Sequence, residues 1–282
     1  MNENDQLARQ LEADVGNPGG LWKELAASVA ADPKIQTFSE ISAEWFRLMW
    51  SLDSFRSAGV APLGMGNEAA SVENRLSGIY RAKGNWFAAI LAQLLTNATG
   101  QDIKPRQKVQ GFSQTHQIDI AWPARKDDPL VCVEVKVTGG PAYGSTGARG
   151  ALNDWSNRRK ELKFAATDLK LGRRRHDTQI DSWGVWRRDA PPATYILWGA
   201  RLRPDDRIER VAQQAERLVG TYLDGGGVVA WQTSSDGLGY EAAPLPADAQ
   251  SLSLDEALRE IKTRINQHAA PGQPPPSPEN HM

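Results

Sequence analysis

Residues 117–138 read QIDIAWPARKDDPLVCVEVKVT and hold two apolar runs on either side of a polar segment. The runs 117–122 and 131–138 are rich in Val, Ile and Trp, which favour strands, whereas residues 123–129 carry the prolines and charges of a turn. The pattern predicts two neighbouring antiparallel strands. They form a hairpin in the middle of the chain.

Alternate side chains of the second strand point to opposite faces of the sheet. One face is all valine, and the other carries Cys132, Glu134 and Lys136. Ionised groups on an apolar strand are costly unless they are paired or bind an ion. If the strands are antiparallel neighbours, Asp119 lies near Glu134, and two carboxylates beside an ammonium suit Mg²⁺, which prefers oxygen ligands. The alternative is an exposed strand face on which both charges are simply solvated.

At these residues the sequence resembles the PD-(D/E)XK nuclease superfamily, which has the restriction-endonuclease-like fold. The resemblance rests on QIDIA at 117–121 and VEVK at 133–136, with a helix before them and a helix, strand and helix after them, and covers roughly residues 84–233. It implies catalytic roles for Asp119, Glu134 and Lys136, of which the lysine orients or activates water. It also implies that Mg²⁺ is the cofactor and that its ligands are Asp119, Glu134 and the carbonyl of Val135.

Two positions depart from the family pattern. Ile118 stands where the family often has proline. Many members also place a Glu on the preceding helix, and here residues 84–88 offer only Asn85, with Glu73 further upstream. Glu73 and Asn85 are therefore accessory candidates, and the number of metal ions stays open.

Helices and strands alternate on either side of the hairpin. Helical spacing of apolar residues marks segments near 87–95, 152–169, 208–222 and 254–265, and apolar runs at 108–109, 194–198 and 228–231 predict strands. Capping-box spacing indicates helix starts at three pairs: Thr37 and Glu40, Asp206 and Glu209, and Ser253 and Glu256. The predicted fold class is α/β, with a restriction-endonuclease-like mixed central sheet flanked by helices.

Composition divides the chain into three parts. Residues 1–66 are predicted to form an N-terminal helical region, with a boundary in the Gly-, Pro- and Ala-containing segment 57–66. Residues 67–267 are expected, from the resemblance, to form a PD-(D/E)XK-like nuclease domain. Residues 268–282 contain five prolines and are predicted to be a disordered tail.

Charge is balanced overall but uneven locally. The 33 basic and 34 acidic residues exclude a uniformly basic nucleic-acid coat protein. Residues 149–175, however, contain nine basic and three acidic side chains directly after the proposed catalytic strand, which favours phosphate contact over a merely solvated helix face. The DNA-binding candidates are Arg149, Arg158, Arg159, Lys160, Lys163, Arg173, Arg174 and Arg175.

Two tryptophans and two arginines lie close together further along the chain, at Trp183, Trp186, Arg187 and Arg188. Such aromatic and basic side chains contact unpaired bases or a groove in some nucleic-acid binding proteins. The equal alternative is a loop whose tryptophans pack into the body of the protein.

Single residues exclude other classes. One cysteine, Cys132, excludes an intrachain disulfide framework and a zinc site of several thiolates, and we expect it to be a small buried hydrophobe. The charged N-terminus lacks the apolar run of a signal peptide or membrane anchor, so a cytoplasmic protein without a membrane partner is expected. His116 either contacts substrate or, as lone histidines more often do, is a surface or hydrogen-bonded residue.

The function expected from the resemblance is a Mg²⁺-dependent DNA endonuclease that cleaves double-stranded DNA, as a type II restriction enzyme or related phage-defence nuclease. Cleavage of both strands favours a homodimer, and a cognate methyltransferase is a further partner of such enzymes. A repair or junction-resolving nuclease is the alternative within the enzyme class. A DNA-binding or assembly module that keeps the fold without cleaving is the alternative outside it.

Overall fold

The computed structural model describes residues 3–124, 129–153, 155–171 and 191–269. Its α-helices are α1 (Glu3–Val15), α2 (Pro18–Ala31), α3 (Ser42–Ala58), α4 (Val72–Thr99), α5 (Trp155–Leu171), α6 (Ile208–Glu216) and α7 (Leu254–His268), with 3₁₀ turns at Ser39–Ile41 and Ala247–Leu252. Its strands are β1 (Pro105–Gln110), β2 (Thr115–Trp122), β3 (Val131–Thr138), β4 (Ala193–Arg201), β5 (Gly225–Thr233) and β6 (Tyr240–Ala243).

The strands form one mixed sheet in the order β1-β2-β3-β4-β5-β6. β1, β2 and β3 pair antiparallel, β3, β4 and β5 pair parallel, and β6 returns antiparallel to β5. The predicted hairpin and the α/β class are confirmed. β6 was not predicted, because a four-residue edge strand carries little apolar periodicity. α1 lies within residues 1–66, which were predicted to be helical, although no apolar spacing marked it as a separate helix.

Each face of the sheet has its own core. Val131, Val133 and Val135 belong to a large cluster with residues of α2, α3, α4 and α7. Cys132 belongs to a small cluster that includes Leu169 of α5, so it lies on the other face. The predicted alternation along β3 is confirmed, and it places Glu134 and Lys136 on the α5 side.

The N-terminal helices share their core with the sheet. Leu25 of α2 and Trp45 of α3 are buried in the same cluster as Phe87 of α4 and Trp231 of β5. The rings of Trp45 and Phe87 lie 4.9 Å apart between their centroids. α3 therefore packs against the β5–β6 side of the sheet, and α2 packs on α3 and α4.

The predicted helix starts have three different outcomes. Ser253 caps α7 by accepting the N–H of Glu256, as predicted. The Asp206 and Glu209 cap is wrong, because the Asp206 carboxylate instead accepts hydrogen bonds from Arg203 and from the N–H of Ala151. The carboxylate is thus used by the preceding turn and by a residue 55 positions away instead of by the helix start.

At the third start, Glu40 accepts hydrogen bonds from the backbone N–H and the hydroxyl of Thr37. This pair precedes the 3₁₀ turn Ser39–Ile41, and α3 begins only at Ser42. The prediction that the pair opens the α-helix is therefore wrong. Of the predicted Pro-rich tail, residues 270–282 lie outside the described part of the chain. None of the helices that the structure describes is long and apolar enough to cross a membrane.

Candidate active site

Asp119 lies where the hydrogen-bond ladder between β2 and β3 stops. The last pair of the ladder joins Ile120 to Val133, and Asp119 and Glu134 are the next residues on the two strands. The Asp119 carboxylate turns to β3, and its Oδ2 accepts the backbone N–H of Val135 at 2.8 Å. The structure thus brings Asp119 onto β3 directly beside Glu134.

Glu134 and Lys136 form an ion pair on the face of β3 that is turned to α5. Lys136 Nζ donates to Glu134 Oε2 at 2.8 Å, and each side chain is 19% exposed. Burial raises the pKa of Glu134, the ammonium of Lys136 offsets part of this rise, and the nearby carboxylate of Asp119 adds to it. The ion pair explains how two charges are tolerated on an apolar strand, and both remain partly accessible.

The backbone is also irregular on the β1 side of Asp119. Gln107 of β1 pairs with Ile118, and Pro105 pairs with Ile120. The β1 residue between them, beside Asp119, is Arg106, and its φ is +61°. Non-glycine residues rarely adopt this left-handed conformation, and backbone irregularities of this kind cluster at functional sites. Asp119 therefore lies between two irregular ladders. The β2–β3 ladder ends beside it, and the β1–β2 ladder is distorted beside it.

The donor set fits Mg²⁺. Proteins commonly bind this ion through one or two carboxylates and leave several waters in place. Asp119 and Glu134 each commit one oxygen to a hydrogen bond, and the other oxygen has no partner in the described part of the chain. The N–H and C=O of a strand residue point to the same edge, so the Val135 carbonyl also faces β2 where the ladder has ended.

A third side-chain ligand is not supplied by the described residues. They contain no group of three or more His, Cys, Asp or Glu side chains placed to hold a metal ion. The accessory candidates Glu73 and Asn85 are exposed on α4, and neither is hydrogen-bonded to Asp119 or Glu134. They are 12 residues apart on the helix, or about 18 Å along its axis, so they occupy different places beside the sheet.

A cavity of about 420 Å³ opens immediately after the candidate catalytic strand residues. Val137 and Thr138, the two residues after Lys136, form part of its wall, together with one face of α4 and the start of α5. Among the described residues, five cationic side chains and no carboxylate line it. We call this cavity the basic pocket, and its cations are Arg56, Arg81, Lys83, Arg149 and Arg158.

The sequence identified only two of these five cations. Arg149 and Arg158 belong to the predicted basic segment, whereas Arg56, Arg81 and Lys83 come from α3 and α4. Arg56 stands in a region of mixed charge, so no local signal marks it. Arg81 and Lys83 lie in a stretch, residues 74–101, whose three charged residues are all basic, and this local excess is the signal that could have marked them. Only the packing of α3 and α4 against the end of β3 brings them together.

The remaining predicted DNA-binding residues in the described part of the chain do not line the basic pocket. Lys163 Nζ lies 4.0 Å from the ring centroid of Tyr222, so this side chain has a contact within the fold. Arg159 and Lys160 lie on α5 next to Arg158, which is ion-paired with Glu161 at 3.0 Å. The other candidates fall outside the described residues: Arg173, Arg174 and Arg175, and Trp183, Trp186, Arg187 and Arg188.

His116 and Cys132 both have structural surroundings. His116 is buried, and its Nε2 lies 2.7 Å from Asp168 Oδ2, which confirms the prediction of a hydrogen-bonded histidine. Cys132 is buried as predicted, and burial raises the pKa of its thiol. Neither residue lines the basic pocket.

Comparisons with known proteins yield no relative from which a role could be transferred. The chain matches no protein-family model, no curated protein and no solved structure. The case for a function therefore rests on the geometry of the residues themselves.

Proposed function

We propose that this protein is a Mg²⁺-dependent DNA endonuclease with a restriction-endonuclease-like fold. The observation that carries the proposal is the convergence of Asp119 with the Glu134–Lys136 ion pair where the β2–β3 ladder opens. The nearby basic pocket supports a polyanionic substrate, because phosphate backbones are bound chiefly through Lys and Arg. The resemblance of the motif and the order of the strands support the same fold.

Each residue of the site has a distinct task in this proposal. Asp119, Glu134 and the Val135 carbonyl would hold the ion, and Lys136 would orient the attacking water. When bound, the ion would supply positive charge to the scissile phosphate and the leaving oxygen. Water attacks phosphorus in line, and the leaving oxygen takes the electron pair of the broken P–O bond. The protein contributes chiefly position and electrostatic stabilisation.

The biological role that this activity suits best is that of a type II restriction enzyme or a related phage-defence nuclease. Each strand of a duplex needs its own site, which a homodimer supplies. A cognate methyltransferase would then protect the host's DNA. A repair or junction-resolving nuclease would instead cleave branched substrates in preference to linear duplexes.

The test is cleavage of plasmid, phage and branched DNA by the purified protein with Mg²⁺ and with EDTA. We expect Asp119→Asn, Glu134→Gln and Lys136→Met each to lower the cleavage rate by about 100-fold or more, because each removes a group placed at the reacting phosphate. The matched controls Glu209→Gln and Lys23→Met change exposed side chains on α6 and α2 and should cleave like the wild type.

The lack of a third carboxylate among the described residues favours one second candidate, a DNA-binding module that keeps the fold without cleaving. The same experiment separates the two. If no substrate is cleaved while DNA is bound equally by the wild type and by Asp119→Asn, the enzymatic proposal is wrong. Cleavage that persists in all three site variants would place the activity elsewhere.

A further inference from the structure

We propose that the basic pocket binds a phosphate monoester, the doubly charged group carried by a strand end or by a free nucleotide. The ligand class follows from the pocket's own charge, size and walls. That a nucleic-acid strand supplies the group rests on the proposed function.

The charge of the pocket is not balanced by its own walls. Arg56, Arg81 and Lys83 have no ion pair within the described part of the chain, and no lining residue is acidic. Arg56 instead lies over aromatic rings, with its guanidinium carbon 4.1 Å from the ring centroid of Tyr80 and 4.9 Å from that of Tyr143. Cation–π contacts hold an arginine in place without cancelling its charge.

Carboxylates close to the pocket are committed to other partners. Asp53 accepts hydrogen bonds from the hydroxyl of Tyr240 and pairs with Arg201 at 3.1 Å. Asp206 accepts from Arg203 and from the N–H of Ala151. Arg158 is itself paired with Glu161 at 3.0 Å, so the cations that an entering anion meets without a carboxylate partner among the described residues are Arg56, Arg81 and Lys83.

Lys83 is aimed and held by the fold. Its Nζ donates to the hydroxyl of Tyr80 at 2.9 Å and to the carbonyl of Gly139 at 2.8 Å, which leaves one of its three donors for a ligand. Gly139 has a φ of +81°, and a Cβ at this position would overlap the carbonyl oxygen of Arg201. The turn that ends β3 therefore requires glycine, and this turn presents its carbonyl to Lys83.

The loop after β3 closes another side of the pocket. Gly140 and Arg149 exchange both backbone hydrogen bonds, at 3.0 and 2.9 Å, so the chain returns to β3 after a tight excursion. This return places Arg149 in the wall opposite α4. The start of α5 follows, and its Arg158 completes this side of the lining.

Size separates a monoester from a length of duplex. A volume of about 420 Å³ lies within the range of small-molecule pockets, roughly 300–1,000 Å³. A double helix is read along an open groove and contacts many successive phosphates. A pocket of this volume with several cations and no acidic residue in its described lining instead matches one group of high charge density. A monoester carries close to two negative charges, whereas an internal diester carries one.

The experiment measures binding in EDTA, so a failure of cleavage and a failure of this proposal are separate results. A labelled short single strand is tested with a 5′-phosphate, with a 3′-phosphate and with hydroxyls at both ends. Inorganic phosphate and thymidine 5′-monophosphate serve as competitors. We expect a phosphorylated end to strengthen binding about tenfold over the hydroxyl form, as befits a charge-assisted contact.

The variants are chosen to leave the fold intact. Arg81→Gln and Arg158→Gln change exposed arginines on α4 and α5, and each should abolish most of the tenfold preference for the phosphorylated strand. Arg210→Gln, an exposed arginine on α6, is the matched control and should retain it. Lys83→Met should also abolish the preference, with its fold checked by circular dichroism.

Each outcome decides the proposal. If the mononucleotide displaces the labelled strand as strongly as an unlabelled phosphorylated strand does, the proposal is supported and a free nucleotide is the source of the phosphate. Competition by the strand alone supports it with a strand end as the source. Equal binding of phosphorylated and hydroxyl strands overturns it, and so does a preference that survives in both arginine variants.

Discussion

Among single residues, Lys83 has an ammonium group whose surroundings oppose its charge. Burial lowers the pKa of Lys83 to about 8 from the ordinary 10.5, and although Asp53 acts in the opposite direction, Arg56 and Arg201 lower it further. Between these two pH values the unfolded chain binds a proton that the folded chain has lost. The free energy of unfolding therefore rises as pH rises through this window.

We expect Lys83→Met to remove this rise. Urea unfolding at about pH 7 and about pH 10 should show the wild type gaining stability relative to the variant at the higher pH. At neutral pH the two should differ by about 1 kcal/mol or less, since loss of two hydrogen bonds is offset by relief of a disfavoured charge. Lys23→Met, at an exposed position, should follow the wild type, and a variant with the same pH dependence as the wild type would contradict the prediction.

Asp168 stabilises the turn between β1 and β2. Burial alone would raise its pKa, but hydrogen bonds from His116 and Ser113 outweigh burial and lower the pKa from 3.8. A carboxylate with a lowered pKa stabilises the fold at any pH above the pKa of the unfolded chain. This contribution is lost as the pH falls through the lower pKa of the folded chain. Asp168 therefore holds the tip of the β1–β2 hairpin against α5.

Asp168→Asn should cost about 1–3 kcal/mol of unfolding free energy at neutral pH, because it weakens hydrogen bonds of a buried carboxylate. The difference from the wild type should shrink below about pH 4, where the wild-type carboxylate also becomes protonated. Chemical denaturation across this range is the measurement, with the exposed Asp205→Asn as control. A difference that stayed constant down to about pH 2 would contradict the assigned cause.

Elements depend on the turns that end them, and the turn after β3 is the most demanding near the site. Gly139→Ala should cost about 3 kcal/mol or more, because the left-handed conformation is strained and the new Cβ overlaps the Arg201 carbonyl. Gly144→Ala is the matched control, since φ there is +56° and nothing lies within 4 Å of the added Cβ. It should cost only about 1–2 kcal/mol in thermal denaturation. Equal costs would show that the overlap relaxes freely.

The elements also show how far the sequence predicts this fold. β3 was predicted with its bounds, since alternation and β-branched residues are local signals. The convergence of Asp119 with Glu134 followed from antiparallel pairing alone. The hydrogen bond from the Val135 N–H to Asp119 could not be predicted, because it depends on the residue at which the β2–β3 ladder ends. The Asp206 cap failed for the same reason, since its partner Ala151 is 55 residues away in the chain.

At the scale of the whole molecule, helices α2 and α3 share one hydrophobic core with the sheet. Asp53 of α3 pairs with Arg201 of β4, and the large core cluster joins α2 and α3 to β3 and β5. The proposed boundary at residues 57–66 therefore separates two stretches of sequence that bury their apolar surfaces against each other. A sheet face stripped of these helices would expose much of that cluster to water.

We therefore expect the chain to unfold in a single cooperative transition, with coincident changes in circular dichroism and tryptophan fluorescence. Leu48→Ala, on α3 and fully buried, should lower the free energy of the whole transition by about 2–5 kcal/mol, since it opens a cavity in the shared core. Leu238→Ala, at a leucine that is 78% exposed, should have almost no effect. If Leu48→Ala instead split the transition, so that α1–α3 melted while the sheet stayed folded, the two parts would be separate domains and the shared core would not couple them.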